Sequence, residues 1–503
     1  MNLVYDTNNY TGYRHAVIDI GSNSVRLVIY LIVGKTFIPI HNEKVLAALG
    51  RGISETGKLY EPGVALALNS IKRYKLLIDN LKIESVDAIA TAASRDASDG
   101  AEFIAYIKNV IGIPVRLIDG SEEGYYSSIG VKSGTTNATG IMGDLGGSSL
   151  ELVDLKSASF KESHKLGPLA IGDIASIREI GGNVEQVRKA IRSVLEKSQA
   201  LKLCNGDEFH AVGGAWRNLA QMHMDHKNYP LKVLNNYTID GREMREFCNF
   251  VIRLSRKTIE KVRGISQRRA DSLPYAALLM SEIIEIGKPK EIVISSYGLR
   301  EGVLTDHLGF NENPLSDGIR AILHLDKAAL NFTDEAYKWL VDFLPLDVDG
   351  ISEVRQKELL NASCALVNIG MGLHPDHRGQ LAYELVLRAP YPAASHNERV
   401  FLAHTIARRY GEKPEDIAEN ESARLLNSEY AKIADFFGSG LRLASSLASN
   451  SGEILKQTRL VRMGNNFHIE LPERLRDLIS DSVIKRLKQL EQQYQKLINH
   501  DND

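Results

Sequence analysis

Cysteine is scarce in this 503-residue chain: Cys204, Cys248 and Cys364 stand far apart, and no CxxC pair occurs. That spacing argues against a disulfide framework and against a thiolate zinc site, and it suits a reducing, cytoplasmic setting. Long apolar runs are missing as well. None approaches the roughly 18–20 residues that span a bilayer, and the opening "MNLVYDTNNYTGYR" has no apolar signal-peptide core, so neither export nor membrane insertion is expected. An excess of one charge is also absent. With 61 basic and 63 acidic residues the formal net charge is -2, so a nucleic-acid partner is not expected and attraction to any polyanion has to come from a local patch.

What the chain does have is length and patterned strands. A prior of about 150 residues per domain predicts about three domains. Residues 15–33 and 36–48 read as strands, and 61–82 as an amphipathic helix with Val64, Leu68, Ile71, Leu77 and Leu81 on its apolar positions. "VDAIATAA" (86–93) reads as a further strand, followed by a helix ending at Gly112 and a short strand "VRLI" after Pro114. Such alternation predicts an α/β architecture.

The chain also resembles itself. "AVIDIGSNSVRLVI" (16–29) lies over "IMGDLGGSSLELVD" (141–154), with Asp19 over Asp144, Gly21 over Gly146, Ser24 over Ser149, Leu27 over Leu152 and Val28 over Val153. All five identities share one spacing, 144 − 19 = 125 residues. Arg26 falls opposite Glu151. Two copies of one strand–glycine turn–strand device are predicted, each opening its own domain. Farther on, helices are expected near 184–202, and "FHAVGGAWRNLAQM" and "EIVISSYGLREGVL" read as strand, glycine turn, helix. After about residue 310 helices dominate, apart from a hairpin in "RLVRMGNNFHIEL" turning at Gly464-Asn465-Asn466. The last helix carries a seam of Val483, Leu487, Leu490, Tyr494 and Leu497 that favours docking on its own domain over a dimer coiled coil.

A hairpin with a carboxylate at the end of one strand and glycine and hydroxyl residues at its turn suits phosphate with a metal. Its backbone N–H groups form an anion nest, the hydroxyls of Ser22, Ser24, Ser148 or Ser149 add donors, and Asp19 or Asp144 would hold Mg²⁺ directly or through water. Two such loops facing each other make a clamp on a phosphate chain. Glu122 and Glu123 stand where a helix starts after Gly120-Ser121, a place whose dipole favours an ionised carboxylate. Arg95 follows a strand end, where α/β sheets present ligand residues, and a guanidinium there can grip phosphate bidentately.

In order along the chain, "DIGSNS", "TAASRDASDG", "DGSEEGYYSSIGV", "GDLGGSSLEL", "AVGGAWRNLA" and "SYGLREG" resemble motifs of the exopolyphosphatase/guanosine pentaphosphate phosphohydrolase family. The resemblance spans about residues 13–310, and the helical continuation is similar to the C-terminal domain of the longer exopolyphosphatases. It implies two actin-like, ribonuclease-H-like α/β domains (13–135 and 136–310) enclosing a cleft, followed by a mostly helical, HD-like domain (311–503) with a small terminal hairpin. It further implies Mg²⁺-assisted removal of the terminal phosphate of inorganic polyphosphate, other divalent cations and K⁺ staying open. Glu123 would be the base acting on water, Arg95 and Asp144 its catalytic companions, and Asp19, Asp144 and Glu151 the metal group. Gly21, Ser22, Asn23, Ser24, Gly146, Gly147, Ser148 and Ser149 would hold phosphate, with Arg268 and Arg269 meeting the distal chain.

A homodimer is expected. The related activity on guanosine pentaphosphate, and a sensor that binds guanosine tetra- or pentaphosphate without turnover, are the competing readings. Two departures from the family pattern stand out. Ser148 replaces the usual third glycine of the second loop, which would add strain if that position needs a positive φ. Val367-Asn368 stands where an HD protein has its His-Asp pair, so metal chemistry is not expected there, and "HPDH" (His374, Asp376, His377) reads as a loop.

Overall fold

The computed structural model describes residues 12–112, 114–157, 161–169, 184–261, 267–323, 325–344, 351–464 and 466–498, with the side chains of 110, 111 and 267–271 outside the description. Thr11–Asn311 and Glu312–Asp503 form two separate compact units.

The first unit contains two sheets. One is built from β1 (Tyr13–Ile20), β2 (Val25–Val33), β3 (Thr36–Val45), β4 (Ser85–Ala90) and β5 (Val115–Leu117), in the order β3-β2-β1-β4-β5. The other comprises β6 (Ile141–Leu145), β7 (Leu150–Asp154), β8 (Lys161–His164), β9 (Glu208–Val212), β10 (Tyr237–Asp240) and β11 (Glu291–Ile294), in the order β10-β11-β9-β6-β7-β8. In each sheet an antiparallel three-strand meander is extended, beside its first strand, by parallel strands: β4 and β5 in one, β9 and β11 in the other. The repeat read from 14 residues of sequence is thus a repeat of topology. Ala16, Val17, Ile18, Leu27, Val28 and Ile29 are all buried, as the unbroken apolar runs of central strands covered on both faces require.

The helix Glu61–Asn80 covers the first sheet through Gly63, Ala67, Ile71, Tyr74 and Ile78, while Val64, Leu68 and Leu77 flank it half-buried and Leu81 is 39% exposed at the C-cap. The apolar stripe expected from periodicity is therefore rotated. A Cβ at Gly63 would come within 2.3 Å of the Ala47 carbonyl oxygen, so at the closest approach only small side chains fit and the leucines splay to the sides. β4 is shorter than the predicted 86–93, because the chain turns at Thr91 into a one-turn helix, Ala92–Asp96.

Two helices tie the sheets together. Gly120–Gly134 packs against β6, β7 and β8, whereas Leu299–Leu308 returns to the first sheet, where Leu304 joins Val17, Val28, Tyr30 and Ile32. They cross backbone to backbone: a Cβ at Gly302 would lie 1.7 Å from the Tyr126 carbonyl oxygen, and one at Gly130 would lie 2.2 Å from that of Gly298.

Among its described residues the second unit is helical apart from the hairpin β12 (Arg459–Met463) and β13 (Asn466–Glu470). Asn466 pairs with Met463 inside the ladder, so the turn is shorter than expected; Asn465 lies outside the described residues. Ser428–Ala448 is the central helix, and Asp481–Ile498 docks on it with Val483, Leu490 and Tyr494 buried and the Phe436 and Tyr494 rings 5.5 Å apart. The seam thus serves this unit's own core. His374, Asp376 and His377 form an exposed turn, and among the described residues no helix is long and apolar enough to cross a membrane. All three cysteines are buried and unpaired.

Candidate active site

The two glycine hairpins are built by the same bonds. In the first, Gly21 N–H donates to the Ser24 carbonyl; in the second, Gly146 N–H donates to the Ser149 carbonyl, each at 3.0 Å. Behind the first, Gly50 and Ala48 N–H groups donate to the Ser22 and Asn23 carbonyls; behind the second, Leu169 and Gly167 donate to Gly147 and Ser148. A trans peptide points its N–H opposite to its C=O. Holding four carbonyls from behind therefore turns the amides of Asn23, Ser24, Ser148 and Ser149 away from those supports, as an anion nest requires.

The hairpins meet tip to tip. A Cβ at Gly147 would lie 3.1 Å from the Ser22 Cβ and 3.2 Å from the Asn23 nitrogen. None of Gly21, Gly146, Gly147 or Ser148 has a positive φ. The glycines are needed for close approach, and the condition under which Ser148 would add strain is not met.

A cavity of about 280 Å³ opens between the two sheets, lined by Asp19, Gly21, Ser22, Asn23, Ser24, Glu123, Asp144, Gly146, Gly147 and Ser149 among others. Of the residues expected from sequence, Glu151, Ser148 and Arg95 do not line it. Glu151 is fully buried behind Asp144, its register partner across β6 and β7, and accepts a hydrogen bond from Ser163 Oγ at 2.9 Å. Arg95 donates from Nη1 to the Ile118 carbonyl at 3.0 Å, close enough to the acidic group for its charge to act on Glu123 and Glu151. The side chains of Arg268 and Arg269 lie outside the described residues.

The two adjacent glutamates part company. Asp119 caps the helix Gly120–Gly134, and Glu122 completes a capping box with it. Glu123 points inward, is 8% exposed, and has an Oε2 with no hydrogen-bond partner. One turn later, Ser127 Oγ donates to Asp144 Oδ2 at 2.6 Å, so one helix face supplies both groups. Burial, then the charges of Glu151, Asp144 and Asp19, raises Glu123 well above the usual carboxylate range. Burial and Asp144 push Glu151 up to about 8, and burial raises Asp144 against the pull of the Ser127 hydrogen bond.

Arginines that sequence reasoning did not assign complete the cavity. Arg300 Nη1 donates to Asp19 Oδ2 at 2.9 Å. Arg217 lines the wall beside Gly213 and Gly214. Arg26, left open by the sequence, does face the cavity while donating from Nε to Asn42 Oδ1 at 2.8 Å. Their motifs, "AWRNLA" and "SYGLREG", are visible in the sequence, but nothing local brings residues 217 and 300 beside residue 19.

A hard divalent cation suits this donor set. The Oε2 atoms of Glu123 and Glu151 are buried without partners, and the acids around them repel one another. Among the described residues no three His, Cys, Asp or Glu side chains form a ready-made metal cluster.

Two sheets of one topology, each aiming a glycine hairpin into an acidic cavity, define the actin-like class of phosphate-handling α/β proteins. Within it, the chain belongs to the Ppx/GppA phosphatase family, whose model matches residues 28–310; the exopolyphosphatase C-terminal model matches residues 330–498. As a member it is a hydrolase acting on phosphoanhydride bonds. Exopolyphosphatase 2 of Mycobacterium tuberculosis H37Rv is 25% identical over 329 residues, 61% of this chain and 97% of that protein. The crystal structure of the Aquifex aeolicus member of the Ppx/GppA family is similar at 28% identity and a TM-score of 0.50, covering 59% of this chain and 98% of that one. An exopolyphosphatase from Cytophaga hutchinsonii shares the fold at 24% identity and a TM-score of 0.52, covering 59% and 99%.

Proposed function

We propose that this protein is an exopolyphosphatase that releases orthophosphate from the end of inorganic polyphosphate. The observation that carries the reading is the pair of bond-for-bond equivalent hairpins meeting tip to tip beside a buried glutamate with an unpartnered oxygen. The amides of Asn23, Ser24, Ser148 and Ser149 would hold the terminal phosphate, and Glu123 Oε2 would accept the proton of a water aimed at its phosphorus. Ser127 fixes the Asp144 carboxylate, and Arg300 holds that of Asp19, so neither swings into the phosphate's place. A Mg²⁺ ion would be held by Asp144 with Asp19 nearby and Glu151 behind, and would supply neutralisation of phosphate charge. Arg95, held on the Ile118 carbonyl, would favour the ionised forms of Glu123 and Glu151.

The test is phosphate release from long-chain polyphosphate with Mg²⁺, with guanosine pentaphosphate as competitor. A kcat/KM higher for polyphosphate is expected. A large preference for the nucleotide would reassign the substrate, and binding of either without turnover would make the protein a sensor.

A further inference from the structure

The second sheet arranges its charged groups in a sequence across one edge. Strand order β11-β9-β6-β7-β8 places, side by side, Arg300 beyond the end of β11, Arg217 beyond β9, Asp144 on β6, Glu151 on β7 and Ser163 on β8. The edge therefore runs from positive to negative. Glu123 belongs to the negative end, its nearest charges being Glu151 and Asp144. Arg26 and Lys44 line the same cavity from the first sheet.

Arg217 is the unexplained member. It is half-buried in the cavity wall, and its Nε donates to the Gly213 carbonyl one turn back, at 3.2 Å. That bond pins the stem and leaves the two Nη groups to other partners. Among the described residues no carboxylate lies within ion-pair distance of it; of the two acids whose charge reaches it, Glu301 is taken by Tyr30 and the Gly298 N–H, and Asp144 accepts from Ser127 Oγ. Its closest charges include Arg300 and Arg26, and burial together with their repulsion brings it down to about 10. A half-buried guanidinium whose strongest charge interactions are with two other arginines is poor design for stability alone. It is good design for a multiply charged anion that arrives later.

Resting on the exopolyphosphatase reading, we propose that Arg217 is a substrate-binding residue for the leaving side of the chain: its Nη groups take the phosphates next to the one being cut, across the cavity from Glu123. The charge sequence orients the substrate. A polyanion with its end phosphate at the hairpins is attracted by Arg217 and Arg26 on one side and finds no cation among Asp144, Glu151 and Glu123 on the other. Only one direction of travel is favourable.

Binding of tripolyphosphate in the presence of EDTA, by calorimetry, tests this without turnover, alongside steady-state kinetics on long polyphosphate. Arg217→Gln is expected to weaken tripolyphosphate binding and raise KM by about tenfold, with kcat within about twofold and the melting temperature unchanged or higher because a repulsion is relieved. Arg217→Lys keeps the charge without the fork and should lose about threefold. If Arg217→Gln does not fold, Arg217→Lys decides, and affinity equal to wild type overturns the proposal. Wild-type affinity in both variants also overturns it, as does a fall in kcat at constant KM. If the wild type itself neither binds nor hydrolyses any polyphosphate, the exopolyphosphatase reading fails, a result distinct from these.

Discussion

Glu122 and Glu123 are neighbours with opposite fates, and the reason is helical geometry. The third residue of a capped helix turns back to its own N-cap, while the fourth projects from the face that here meets the second sheet. Glu123→Gln keeps the shape and removes the proposed proton acceptor, so kcat should fall by about 10²–10⁴ with KM changed only a few-fold, checked by steady-state phosphate release. Glu151 yields a pH prediction. Between the ordinary glutamate range and about 8, the unfolded chain has released the proton that folded Glu151 keeps, so the native state binds more protons and loses stability as pH rises. In EDTA the melting temperature is expected to drop by a few degrees from pH 5 to pH 8, and Glu151→Gln should flatten that slope. An equal slope in the variant would assign the loss to other groups.

At the scale of elements, the close approaches decide most. The hairpin tips touch through Gly147, where a Cβ would press on Ser22 and Asn23. Gly147→Ala should part the tips and cut kcat/KM at least tenfold with little change in urea midpoint, because the contact lies in the site and not in a core. The crossing of Gly120–Gly134 with Leu299–Leu308 is different. Gly302→Ala would drive a methyl into the Tyr126 carbonyl at the centre of the unit, and a loss of about 3 kcal/mol or more is expected in urea denaturation, near or beyond the usual cost of overpacking. Helix-start and glycine-turn signals in the sequence marked both crossing helices, and apolar periodicity marked Glu61–Asn80. It misplaced the buried face of Glu61–Asn80, because periodicity counts apolar residues and not the space left between helix and sheet.

For the whole molecule, relatives that match 97–99% of their own length cover only 59–61% of this chain, and packing divides the chain between Asn311 and Glu312. A fragment ending at Asn311 is therefore expected to fold by itself and to retain hydrolysis of short polyphosphates; a folded but inactive fragment, judged by circular dichroism and phosphate release, would assign the helical unit a part in the reaction.

Much of the site was legible because it is local. Asp19 with Gly21 to Ser24, and Asp144 with Gly146 to Ser149, lie within single hairpins whose carboxylate, turn and strands are contiguous, and their recurrence 125 residues apart marked them as one device. Glu123 was legible as a helix start. Arg217, Arg300 and Ser127 were not, since their roles depend on which strands become neighbours. Insertion of β9 and β11 beside β6 carries the two arginines to the cavity, and packing of Gly120–Gly134 on β6 brings Ser127 to Asp144. The amino-acid order alone determined the two glycine hairpins, through short-range turn and strand preferences. The charge sequence along the cavity was decided only by tertiary structure, because burial and strand adjacency, which set the strength of those charges on one another, exist only once the sheets have formed.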